Sequence, residues 1–248
     1  MEIRVCEDRY ALGKSAAAFT AMLINKAIEE KGSARIVLST GASQFDTIAA
    51  LVNEKVDWSK VEMFHLDEYI DLPETHPASF RKYLKEKFVS KISDLKAVHF
   101  VEGTKENIKV ISEEISKAPI DVGLIGIGEN AHIAFNDPPA DFETEEPYIV
   151  VDLNDTCKKQ QVGEGWFATE NDVPKQAVSM SVRQILKCEN IISCVPYAVK
   201  ASAVYNTLRG EVSDKVPATI LKTHPSFTLY IDRESASMLS LPITYIGK

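Results

Sequence analysis

Gly126-Ile-Gly-Glu-Asn-Ala-His132-Ile-Ala-Phe-Asn-Asp137-Pro-Pro139 follows directly on the apolar run Val122-Gly-Leu-Ile125. A buried strand leads here into a turn that carries one imidazole and one carboxylate. In open α/β sheets, ligands sit in the crevice outside the carboxyl ends of the strands. His132 is therefore a better catalytic candidate than the other four of the chain's five histidines. The spacing Gly126-x-Gly128-x-x-Ala131 formally matches a dinucleotide fingerprint, but that fingerprint must open a long helix. Pro138-Pro139 forbids one within two turns. The glycines instead suit a backbone that lets a small ligand approach closely.

Apolar stretches of strand length alternate with amphipathic ones on either side of this turn. Strands are expected at 3–6, 35–39, 61–66, 98–101, 120–125, 190–195 and 226–231. Helices are expected over 12–31, 44–54, 77–88, 107–116 and 199–208. Such alternation implies a mostly parallel sheet with helices on both faces and right-handed crossovers. Residues 151–175 break the pattern: they are polar, hold Gly163, Gly165, Trp166 and Phe167, and end near Pro174. They read as a lid over the site rather than part of the sheet. With no linker or repeat, one domain over 1–248 is expected.

Composition narrows the function. The 248 residues are 45% hydrophobic and 26% charged, with a formal charge of -8, as in an ordinary soluble globular protein. An acidic chain without a basic tract is not built for nucleic acid. Four scattered cysteines suit reduced thiols rather than a disulfide framework. No run approaches the ~20 apolar residues of a membrane span. A cytoplasmic protein with no membrane partner is the expectation.

Three further groups carry chemistry. Phe64-His-Leu-Asp-Glu-Tyr69 ends a strand near Leu66, so Asp67 and Glu68 fall at its carboxyl end. One carboxylate there could take a proton from a carbon beside a carbonyl or imine; capping of the next turn by Asp67 stays open as well. His65 would share the face of Asp67, which leaves a metal site of His65, Asp67 and Glu68 as a minor alternative. Leu38-Ser-Thr-Gly-Ala-Ser43 runs from a strand to a helix start, so Thr40, Gly41, Ala42 and Ser43 could cradle an anion, with Ser43 as helix cap. Lys200 follows a strand end and could supply the local cation a phosphate needs; Lys158 and Lys159 are weaker candidates. His132 itself stays open between a turn histidine bonded to backbone and an acid–base group paired with Asp137.

Together these segments resemble the glucosamine-6-phosphate deaminase family, within the larger group that includes 6-phosphogluconolactonases. The resemblance spans about residues 9–232 and is carried by Ser39-Thr-Gly-Ala-Ser43, Leu66-Asp-Glu-Tyr69, Leu72-Pro73, His76-Pro77, Gly128 through Pro138, Val173-Pro174-Lys175 and the Lys200 segment. His132-Ile-Ala-Phe-Asn136 favours the deaminase branch. The resemblance implies a three-layer αβα sandwich with a Rossmann-like, mostly parallel sheet. It implies conversion of glucosamine 6-phosphate and water to fructose 6-phosphate and ammonia, with no metal or organic cofactor. Asp67 would be the base that moves a proton from C2 to C1, and His132 would open the pyranose ring. Thr40 to Ser43, Gly126 and Lys200 would hold the phosphosugar. Where the family has Asp, Gly and Glu around that histidine, this chain has Asn130, Ala131 and Asp137, and the family's lid arginine has no counterpart between Cys157 and Phe167. Lactone hydrolysis and a catalytically silent sugar-phosphate sensor are the alternatives, and a homo-oligomer stays open.

Overall fold

A computed structural model of the chain describes residues 1–240; the rest of the expected domain, 241–248, lies outside them. Along the chain run β1 (Glu2–Cys6), α1 (Arg9–Lys31), β2 (Ala34–Leu38), α2 (Phe45–Leu51), β3 (Val61–His65), β4 (Asp67–Tyr69), α3 (Phe80–Lys87), β5 (Ala97–His99) and α4 (Lys105–Ile115). They are followed by β6 (Val122–Leu124), β7 (Tyr148–Asp152), α5 (Asp155–Gly163), β8 (Gln176–Met180), α6 (Val182–Leu186), β9 (Asn190–Val195), α7 (Ala201–Arg209) and β10 (Phe227–Asp232).

Seven strands form one parallel sheet in the order β1-β10-β9-β6-β2-β3-β5. Its central strands are buried on both faces, which is why β2 reads Ala-Arg-Ile-Val-Leu with every residue inside. Alternation along β2 builds the two helix layers. Ile36 and Leu38 face α1, α2 and α3 through Leu12, Ile24, Ile48 and Leu84, whereas Val37 faces Ile111, Ile115, Ile185 and Val204 of α4, α6 and α7. Asp8 caps α1 by accepting from the amides of Tyr10 and Ala11, and Gly32 ends it in the left-handed conformation. Gly13 lets α1 lie against α2, since a Cβ there would meet the Asp46 carbonyl carbon at 2.7 Å. The three-layer expectation holds, and no described helix is long and apolar enough to cross a membrane.

The expected lid begins inside a second, antiparallel sheet, of order β4-β8-β7. Val151 and Asp152 pair with Ala177 and Gln176, so the stretch 151–175 is neither wholly outside a sheet nor irregular: it continues into α5. Leu66 joins the two sheets. Its amide donates to the Leu38 carbonyl of the large sheet, and its carbonyl accepts from Met180 of the small one. The strand expected at 61–66 therefore stops at His65, and Asp67 opens a new strand paired with Ser179.

Candidate active site

The turns that follow β9, β6, β2 and β3 lie side by side because those four strands are consecutive neighbours in the large sheet. They bring residues far apart in sequence to one cavity of about 1130 Å3. Thr40, Gly41, Ala42, Ser43, Asp67, Gly126, His132 and Lys200 all line it. Asn130 and Asp137 stand behind His132 rather than on the wall.

The imidazole is held from behind. His132 Nδ1 lies 2.6 Å from Asn130 Oδ1 and 3.3 Å from Asp137 Oδ1. An amide oxygen only accepts, so Nδ1 carries the proton and Nε2 keeps a free lone pair. Asn130 also donates from Nδ2 to Asp137 Oδ1 at 2.9 Å and accepts from the His132 amide. Burial works against the charge of Asp137, but the His132 ring, Asn130 and the Cys157 thiol more than offset it and hold the carboxyl below its ordinary range. The ring lies so close over Gly128 that a Cβ there would sit 2.1 Å from Cε1. Gly128 thus makes room for the chain's own histidine, not for a ligand as the sequence suggested. Ala131 adopts φ 65°, a left-handed backbone in which glycine, the family's usual residue, is less strained.

Asp67 and Glu68 part company because successive residues of a strand face opposite sides. Glu68 is wholly buried and accepts from Ser79 Oγ, the amides of Tyr69, Phe80 and Arg81, and Arg81 Nε. It, and not Asp67, does the capping that the sequence left open. No described residue donates to the Asp67 carboxylate, which burial and then the charge of Glu68 push up to about 8. His65 is removed from the site: wholly buried, with no partner at either nitrogen, and edge-on to Phe100. Burial, reinforced by Arg81, lowers it to about 3. The metal alternative fails on this geometry, and no group of three His, Cys, Asp or Glu suited to a metal occurs among the described residues.

The 39–43 turn lines the same cavity. Ser43 does not cap α2; it sits inside a 3-10 turn, Ala42–Gln44, that has no side-chain cap. Its hydroxyl instead accepts from Gln44 Nε2, while Ser39 Oγ accepts from the Gly126 amide at 3.1 Å. The buried Thr40 hydroxyl has no protein partner. Lys200 ends a 3-10 turn ahead of α7 and is buried. Burial lowers its pKa, and Glu164 and Glu129 partly counter this.

Several lining residues escaped the sequence reading. Lys158 and Lys159 do not line the cavity, whereas Gln160, Gln161, Glu164 and Trp166 of the same segment do. Gln160 and Gln161 lie on α5 while Glu164 and Trp166 follow its end, an arrangement legible only once the helix is placed. Tyr197 also lines the cavity, with φ 81° and ψ 142°, a conformation that suits glycine; its amide donates to Asp232 Oδ2 and its hydroxyl accepts from Arg9 Nη1.

The profile of the family described as glucosamine-6-phosphate isomerases/6-phosphogluconolactonase matches residues 7–229. The glucosamine-6-phosphate deaminase of Staphylococcus epidermidis is 37% identical over 232 residues, 89% of this chain and 94% of the relative. That of Thermoanaerobacter pseudethanolicus is 33% identical over 229 residues, 88% of this chain and 89% of the relative. A monomeric glucosamine-6-phosphate deaminase of the NagB superfamily superposes with a TM-score of 0.84 at 29% identity, covering 96% of this chain and all of the other, 100%. The 6-phosphogluconolactonase of Thermotoga maritima superposes at 0.77 with 16% identity, covering 93% of this chain and 99% of the other, a likeness of fold alone. With its parallel sheet, its helix layers and nearly its whole length matched, this chain belongs to the family of glucosamine-6-phosphate isomerases and 6-phosphogluconolactonases.

Proposed function

We propose that the protein converts glucosamine 6-phosphate and water to fructose 6-phosphate and ammonia. The observation that carries this reading is an unengaged, buried carboxylate, Asp67, sharing one cavity with an imidazole whose Nε2 is free. The named relatives support the choice of substrate.

The 39–43 turn, with its uncapped amides and the Thr40 hydroxyl, takes the phosphate together with the Lys200 ammonium. His132 Nε2 accepts the proton of the C1 hydroxyl and returns it to the ring oxygen as the C1–O5 bond breaks, giving the open-chain aldehyde. Asn130 and Asp137 keep the ring oriented, and Asp137 stabilises the imidazolium between the two transfers. The Asp67 carboxylate then removes the proton from C2, leaving an enolamine, and delivers it to C1. The product is an imine at C2. Water adds to that carbon and ammonia leaves, which completes the ketose. A base with a pKa near 8 suits abstraction from carbon at neutral to mildly alkaline pH. The 151–175 segment walls the cavity through Gln160 and Gln161 of α5 and through Glu164 and Trp166.

The test is a coupled assay that measures ammonia and fructose 6-phosphate from the same reaction, run with substrate carrying deuterium at C2. Stoichiometric products and a slower deuterated reaction are expected. Turnover without an isotope effect, on a 6-phosphate lactone, would favour hydrolysis at C1. Tight binding with no turnover would favour the silent sensor that Asn130 suggests, and either result overturns the assignment.

A further inference from the structure

The segment over the cavity carries a buried polar group with no work assigned to it. Gln161 of α5 is 7% exposed and lines the cavity. Tyr69 Oη donates to its Oε1 at 2.6 Å. Tyr69 is itself wholly buried, its ring wedged against Phe80, Phe135 and Phe167 at centroid distances of 5.2, 5.1 and 5.6 Å. The phenol is thereby fixed in place, and a donor aimed at Oε1 fixes the amide with its nitrogen turned away. Among the described residues, Nε2 donates to nothing, yet it is not sealed from the cavity. An amide N–H that is held in place and open to the cavity is set to donate to a ligand that offers an acceptor there.

We infer that Gln161 binds the substrate, donating from Nε2 to an oxygen on a carbon adjoining C2, and that Tyr69 is the residue that positions it. The inference rests on the deaminase reading. Asp67 and Tyr69 alternate along β4 and so share one face of it, which puts the amide on the side from which Asp67 reaches C2. The C2 ammonium has donors only and cannot accept from an amide N–H. An oxygen at C1 or C3 can. A hydrogen bond to the C1 oxygen strengthens as negative charge builds on that oxygen while C2 loses its proton, and acts on kcat; one to the C3 hydroxyl acts on KM.

Steady-state kinetics on glucosamine 6-phosphate, with thermal unfolding of each variant, test this. Gln161→Ala is expected to lower kcat/KM at least tenfold. Gln161→Glu keeps the acceptor for Tyr69 and removes the donors; it is expected to lose as much with its Tm within a few degrees of wild type, and it decides the matter alone if Gln161→Ala does not fold. Tyr69→Phe is expected to cost several-fold in the wild type and nothing further in the Gln161→Ala background. A kcat/KM unchanged by either Gln161 substitution overturns the inference, as does a Tyr69→Phe loss of equal size in both backgrounds. If the wild type releases no ammonia, the deaminase reading falls by itself. The Gln161 inference is then decided by calorimetry with fructose 6-phosphate. Binding at least tenfold weaker in Gln161→Ala sustains it; equal affinity, or no binding by the wild type, overturns it.

Discussion

Asn130 stands where a carboxylate would carry charge, yet it makes three hydrogen bonds that a carboxylate could not all make. It accepts from the His132 ring and amide and donates to Asp137. Asn130→Asp would turn the last of these into a contact between two carboxylates and place a second negative charge on the imidazole. An opposite charge within ~4–6 Å favours a protonated ring, so the low-pH limb of the kcat/KM profile should move to higher pH in the variant. A limb that stays in place would mean that the Asn130 contact contributes orientation alone.

At the scale of elements, β4 divides its two carboxylates between two tasks. Glu68 ties the start of α3 to the small sheet through Ser79, the Phe80 and Arg81 amides and the Arg81 guanidinium. Pro77, Ala78, Ser79 and Phe80 also line the cavity, so this junction sets one wall of the site. Glu68→Gln leaves Arg81 without its charge partner and turns an N–H group toward donors. Breaking a buried pair in this way costs about 3–5 kcal/mol. Urea unfolding should show that loss as a lower midpoint with an unchanged slope, and KM should rise because α3 is no longer anchored. A midpoint equal to wild type would remove Glu68 from its role in joining the two. Both carboxylates were visible in Leu66-Asp-Glu-Tyr69, and the resemblance singled out Asp67, but that Glu68 takes up the donors around it and leaves Asp67 unengaged was not legible. That choice depends on the direction in which the chain leaves Leu66, and Leu66 takes its two hydrogen bonds from different sheets.

Over the whole molecule, two buried groups oppose each other in pH. Asp67 has its pKa raised from 3.8 to about 8, so the folded state holds a proton that the unfolded chain has already released. Its contribution is complete below pH 4 and is lost as pH rises toward 8. His65 has its pKa lowered from 6.5 to about 3. Its contribution is complete above pH 6.5 and is lost as pH falls toward 3. Stability should therefore decline at both ends, and the alkaline decline is the one tied to the proposed base. Asp67→Asn should abolish turnover, by a factor of about 10²–10⁴ or more for a lost general base, and flatten the alkaline arm while leaving the acid arm in place. Tm measured at pH 5 and pH 8 decides this: at pH 8 the variant should melt above wild type, by about 2–4 °C for each kcal/mol recovered. Equal alkaline slopes in both proteins would place the burden elsewhere.

Several features were settled by the sequence alone. The run Ile120 to Ile125 and its neighbours required a sheet buried on both faces, because such strands carry apolar residues without alternation. The turns at 39–43, 67 and 126–137, together with Lys200, were legible as candidates because each follows a strand, and ligands gather at strand ends; their meeting at one cavity is what the folded chain adds. Other features needed the folded chain. The small sheet joins residues 67–69, 148–152 and 176–180, a pairing that no local pattern announces. The role of Gly128, the freedom of Asp67, the burial of His65 and the tie between Tyr69 and Gln161 each depend on which atoms meet across that pairing. Local sequence fixes periodicity and turn chemistry, but a partner's identity is a property of distance in space, and only the packed chain sets that.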